Sequence, residues 1–139
     1  AETGAYRINR VELRGPRAGE RSVLADNLPG IPDNMTSQTS DGLFWVALYS
    51  PRMRILDFMA PYPAMRILAA NLPDAVRPAP EHAGWVLAID ATGTIVRSLR
   101  GGRGSYSPIT GVREHDGALY LGSLSDKSVA RVALPTRAG

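Results

Sequence analysis

Cysteine is absent from the 139 residues, so neither a disulfide nor a thiolate metal site can form, and the redox compartment stays undetermined. Lysine is nearly absent too: fifteen Arg stand against one Lys, Lys127, scattered from Arg7 to Arg137. A nucleic-acid footprint gathers its basic residues on one face. The scatter therefore argues against a nucleic-acid partner, and a general bias toward Arg, Ala and Pro accounts for the net charge of +3 equally well. Long apolar runs are also lacking. A membrane-spanning helix needs roughly 20 apolar residues, and the nearest window, 55–72, is broken by Asp57, Pro61, Pro63 and Arg66. Neither a start Met nor an n-region and h-region accompanies Ala1. The expectation is that processing or truncation removed the true beginning, so an upstream membrane anchor or export signal stays open and no compartment is assigned. No Gly-x-Ser-x-Gly and no metal-ligand His pair occurs, which leaves serine-hydrolase and zinc chemistry without support.

What is present is ordinary globular material, 44% apolar and 21% charged, enough for one domain-sized core. Tyr6 to Leu13 alternates with period two, as a half-buried strand does. Ser22 to Ala25 begins a second strand, and Leu28-Pro29-Gly30-Ile31-Pro32 turns the chain. Asp33 to Thr39 is a short polar strand, followed by the hairpin signal Asp41-Gly42 and the apolar strand Leu43 to Tyr49. Between 51 and 73 the apolar residues recur at helical spacing, split by Pro61-Tyr62-Pro63 into two short helices. This reads as a helical cap packed on the sheet, with peripheral membrane contact through Phe58, Met59 and Tyr62 as the alternative. Strands follow at 84–90 and 94–99. Gly101-Gly102-Arg103-Gly104 resembles a phosphate loop only superficially, because a strand and not a helix follows it. The last unit runs from Ser107 to Arg113, through Asp116-Gly117, to strands at 119–124 and 128–134.

The two Asp-Gly hairpins head the same order of elements: polar strand, turn, aromatic-centred apolar strand, outer strands. Asp41 and Asp116 stand 75 positions apart. Without an insertion of roughly 25 residues the repeat is about 50, in the range of β-propeller blades. The innermost strand of a blade lines a channel and tolerates polar residues, whereas the second is sandwiched between blades and must be apolar. The expected fold class is therefore all-β: propeller blades, about half of a six-bladed ring, with a helical insertion near 51–73. Residues 1–139 are read as a partial domain, C-terminal blades without their N-terminal ones. Trp45 and Tyr120 hold equivalent positions and are expected in blade cores. Open blade edges would invite self-association.

Four segments resemble the strictosidine synthase-like family, a six-bladed propeller group related to gluconolactonases and paraoxonases. They are Ala25 to Asn34, Phe44 to Leu48, Leu56 to Pro63 and Tyr106 to Leu124, in the family's order at its C-terminal end. In strictosidine synthase proper the essential glutamate precedes the Glu-His-Asp-Gly stretch. Aligning on Glu114 to Gly117 puts Thr110 there, and Pro108 where the plant enzyme has a histidine. Threonine cannot cycle a proton near neutral pH, so amine–aldehyde condensation is disfavoured, and Pro108 and Thr110 become residues of the substrate channel.

The hydrolytic relatives hold Ca²⁺ in the channel, with ligands that match Asp33-Asn34 here. The resemblance thus implies a Ca²⁺-dependent ester or lactone hydrolase acting on a small molecule, with its catalytic base in blades outside the chain. Pro32-Asp33-Asn34 as a plain turn remains open. A non-catalytic propeller that binds a ligand or partner is the rival, and condensation by a displaced acid–base residue a further one. His115 is expected to bond locally at its hairpin and His82 to lie on the surface.

Overall fold

The computed structural model describes residues 1–53, 57–58, 61–62, 64, 67, 71 and 83–134. Among them the architecture is all-β. A 3₁₀ turn at Thr3–Ala5 precedes β1 (Ile8–Val11) and β2 (Arg21–Ala25), which form a two-stranded antiparallel sheet. The second sheet has four antiparallel strands in sequential order: β3 (Gly30–Met35), β4 (Phe44–Pro51), β5 (Trp85–Ile89) and β6 (Ile95–Arg100). The third has three: β7 (Ile109–His115), β8 (Ala118–Ser123) and β9 (Ala130–Ala133). Sequential antiparallel sheets packed side by side are what blades of a partial β-propeller look like. The two expected helices of 51–73 fall mostly outside the described residues. Two bonds at helical spacing are seen there, from the amide of Asp57 to Met53 O and from that of Asn71 to Ile67 O.

The second sheet is the centre of the fold because its two middle strands are apolar on both faces. Period-two alternation divides them. Val46, Leu48, Leu87 and Ile89 pack toward the first sheet, against Tyr6, Ile8, Ala25 and Leu28. Trp45, Ala47, Val86 and Ala88 pack toward the third, against Ile109, Leu119 and Leu121. Each fully buried Leu, Ile or Val stabilises by roughly 1.5–3 kcal/mol, so one strand pair anchors both neighbours.

Several boundaries differ from the sequence pattern. β3 begins at Gly30, inside the stretch expected to turn, and leaves the ladder after Met35. Gly30 can enter the sheet because a Cβ there would lie 2.6 Å from Ser50 O. Only glycine lets these backbones approach so closely. Tyr120 corrects a second expectation. It is 37% exposed, whereas Trp45 is fully buried, because the described residues place no sheet on Tyr120's face of β8. The two Asp-Gly turns also differ: φ is positive at both Asp116 and Gly117, but only at Gly42 in the first hairpin. There Thr39 closes the loop, with its amide bonded to Leu43 O and its carbonyl receiving the Gly42 amide.

Register places the strand ends. Gly30 pairs with Pro51, and Ile109 with Ser123. The starts of β3 and β7 therefore share one rim with the ends of β4 and β8, and the two Asp-Gly hairpins lie at the other end of these strands. The first rim is knitted by bonds from the Arg52 amide to Pro29 O and from the Ser125 hydroxyl to Ser107 O.

Candidate functional site

Asp33 and Asn34 sit together in a β-bulge. Pro32 pairs with Leu48 and Met35 with Val46, so the two residues oppose Ala47 alone. Thr110 sits in another: Ile109 pairs with Ser123 and Gly111 with Gly122, leaving Thr110 as the extra residue of β7. A bulge breaks strict alternation and re-aims side chains, which is why bulges recur beside functional sites. Here the two bulged inner strands meet. The Asn34 Nδ2 donates to the Thr110 carbonyl oxygen at 2.8 Å, across 76 positions. Two residues singled out separately in the sequence are thus hydrogen-bonded neighbours.

That bond fixes the Asn34 amide, because the nitrogen faces Thr110 and leaves Oδ1 as an acceptor with no partner among the described residues. The half-buried Asp33 carboxylate has no hydrogen bond or ion pair among the described residues. The Thr110 hydroxyl makes one long contact, 3.5 Å to Gly122 O. Pro108 is half-buried, follows a cis peptide bond, and lies two residues before Thr110 on the rim.

The donor set decides how well a calcium ion would fit. Ca²⁺ takes about six to eight hard oxygens. The Asp33 carboxylate and Asn34 Oδ1 are hard oxygens on consecutive residues and unengaged among the described residues, so they suit two of those positions. Among the described residues no three His, Asp or Glu side chains cluster as a metal site would require.

Below the Asn34–Thr110 bond the inner strands diverge around a polar cleft of about 300 Å³, lined by Met35 to Thr39 and Val112 to Glu114. A larger groove of about 450 Å³ separates the second and third sheets and is mostly apolar, with Val86, Leu99, Leu119, Leu121 and Val132 among its walls. The smaller cleft carries more chemistry, since apart from Met35 and Val112 its side chains are hydroxyls, an amide and charged groups.

Two clusters escaped the sequence. The buried Trp45 indole Nε1 donates to Glu114 Oε2, tying β4 to β7. An aromatic in an apolar strand signals core but does not reveal its N–H partner. On the rim, Arg52 lies over the Tyr6 ring, 4.2 Å from its centroid. Burial first, then a hydrogen bond and charge from Asp57, push the Tyr6 hydroxyl above its usual pKa. His115 lies at the far end of β7, exposed and 3.3 Å from Asp116, as its local role predicted. His82 lies outside the described residues.

The chain is 32% identical over 141 residues to the adipocyte plasma membrane-associated protein of Salmo salar, covering 96% of this chain. The Homo sapiens protein of that name is 33% identical over the same length. Adipocyte plasma membrane-associated protein Hemomucin of Drosophila melanogaster is 31% identical over 169 residues, covering 97% of this chain and 29% of its own. The chain is a homologue of these proteins. It spans about a third of the length of the two vertebrate relatives. No family model matches it.

Proposed function

We propose that this chain is part of a strictosidine synthase-like propeller and forms one wall of the channel of a Ca²⁺-dependent ester or lactone hydrolase. The observation that carries this reading is the pairing of the two bulges, which presents Asp33 and the oriented Asn34 amide on one rim beside Thr110. Asp33 supplies a carboxylate and Asn34 a carbonyl oxygen. The Thr110 backbone carbonyl holds the amide in the orientation that exposes that oxygen. Polarising a carbonyl and stabilising negative charge on its oxygen is the chemistry that bound calcium would supply. Pro108 and Thr110 border the substrate. Neither ionises near neutral pH, so the proton of an attacking water must go to a base outside these residues.

Condensation of an amine with an aldehyde is disfavoured by the same absence at Thr110. A second reading, a ligand-binding propeller without catalysis, draws support from the small donor count: two oxygens alone hold calcium weakly. Calcium titration of the longer protein, with turnover of phenyl acetate and a panel of lactones, separates the two. Ca²⁺-dependent turnover that falls in Asn34→Ala supports the hydrolase. Unchanged turnover in that variant, or none with calcium, removes it.

A further inference from the structure

Blades radiate from a central channel, so the space between two neighbouring sheets widens toward their outer strands. On the inner side Trp45, Ala47 and Ala88 fill the space between the second and third sheets, against Ile109 and Leu119. Farther out the space is bounded by β6 and β9, and neither strand carries an aromatic residue. A groove of about 450 Å³ is left there. That is the size of an ordinary small-molecule site.

Cross-strand register shows which side chains face the groove, because directly paired residues share a face. Val86 pairs with Leu99 on one wall; Leu119 pairs with Val132, and Leu121 with Ala130, on the other. The alternate pairs of the second sheet, Trp85 with Arg100 and Leu87 with Ser98, face the first sheet instead. Arg100 lies over the Trp85 ring, and Ser98 Oγ accepts from the Trp85 indole Nε1, so both polar ends are held on that side. At the rim the loop 101–108 closes the groove. Its Ser105 Oγ accepts from the Gly84 amide, and its Tyr106 hydroxyl donates to Ser128 O.

Arg100 is the one charged residue along the groove among the described residues, and its guanidinium is turned to the other face. Charge complementarity therefore selects a neutral occupant. A carboxylate or ammonium entering here would lose water and meet no counter-charge. The groove follows β9 from Ala130 to Ala133, about 10 Å at the rise of a strand. A chain of methylenes can follow branched aliphatic walls of that length, whereas a flat ring finds only Tyr106 to stack on.

We propose that this groove binds a neutral molecule by its alkyl chain, with the polar end directed outward past Val132, which is 41% exposed. The groove is separate from Asp33, Asn34 and Thr110. Binding there needs neither calcium nor turnover, so it and the hydrolase reading can fail separately.

Displacement of phenylnaphthylamine fluorescence by hexanol, octanol and decanol tests it. Affinity should rise roughly tenfold from each alkanol to the next, two methylenes at a time. Octanoate should bind roughly tenfold more weakly than octanol, or less. Ala130→Phe puts a ring into the groove at a strand position, where aromatics are favoured, and should abolish binding. Val132→Asp places a charge at an exposed position and should weaken decanol binding roughly tenfold or more. Circular dichroism and urea midpoints show which variants are folded, and Val132→Asp carries the test if Ala130→Phe is not. No displacement by decanol, affinity that ignores chain length, or full binding by a folded variant overturns the proposal. So does octanoate binding as well as octanol, or a dimer that excludes the probe, which would mean that a second copy covers the groove.

Discussion

The Asn34 side-chain amide reaches the Thr110 carbonyl oxygen at 2.8 Å and so joins the bulges of β3 and β7. Replacing the amide nitrogen by oxygen sets two acceptors face to face. Asn34→Asp should therefore lower stability by about 1 kcal/mol in a chelator, a typical hydrogen-bond contribution plus modest repulsion. If Asp33 and residue 34 hold a cation, millimolar calcium should narrow the gap. Thermal midpoints with and without calcium measure this. A gap indifferent to calcium argues against the metal.

The Trp45–Glu114 hydrogen bond is a second polar tie between the second and third sheets, beside that of Asn34 with Thr110. Trp45→Phe keeps most of the buried ring but removes the donor, leaving a half-buried carboxylate unpaired. The expected loss is about 1–3 kcal/mol in urea unfolding. Glu114→Gln should lose less, since its amide oxygen can still accept. A double-mutant cycle should return a coupling of about 0.5 kcal/mol or more; strict additivity would show that the bond contributes nothing.

Two glycines separate backbone strain from collision. Gly93 has φ +88°, and a Cβ there would fall 1.6 Å from Leu24 O of the first sheet. Gly117 has φ +68° with nothing within 4 Å. Gly117→Ala should cost about 1 kcal/mol, the left-handed penalty alone. Gly93→Ala should cost about 2 kcal/mol or more, because the turn must also move away from β2. Equal losses would mean that the first sheet does not press on this turn.

Tyr6 gives a stability profile at high pH. Burial, then Asp57, raise its pKa in the folded state. The folded protein therefore keeps the phenol proton at pH values where an unfolded tyrosine, with a pKa of about 10, has lost it. That contribution is complete below about pH 10 and disappears as pH climbs through the folded value. Thermal midpoints between pH 8 and 11 should fall more steeply in the parent than in Tyr6→Phe. Parallel curves would remove Tyr6 from the account.

The pattern of residues was enough for the all-β class, the order of strands and the blade repeat, because these follow from local period and turn chemistry. Phe44 to Leu48 is apolar at every position, and such a strand must be covered on both faces, as β4 is. Asp33, Asn34 and Thr110 were legible as candidates through resemblance and their offsets from the Asp-Gly turns. Their meeting was not. A bulge shifts register by one residue, and no propensity in Pro32 to Met35 or Ile109 to Gly111 announces it; the backbone that each strand pairs with decides. The same holds for Tyr120 and Trp45, which the repeat makes equivalent but which only their packing tells apart. Local sequence set which strands form. Which side chains are sealed, and which oxygens remain free on the rim, was decided by the sheet laid against each face.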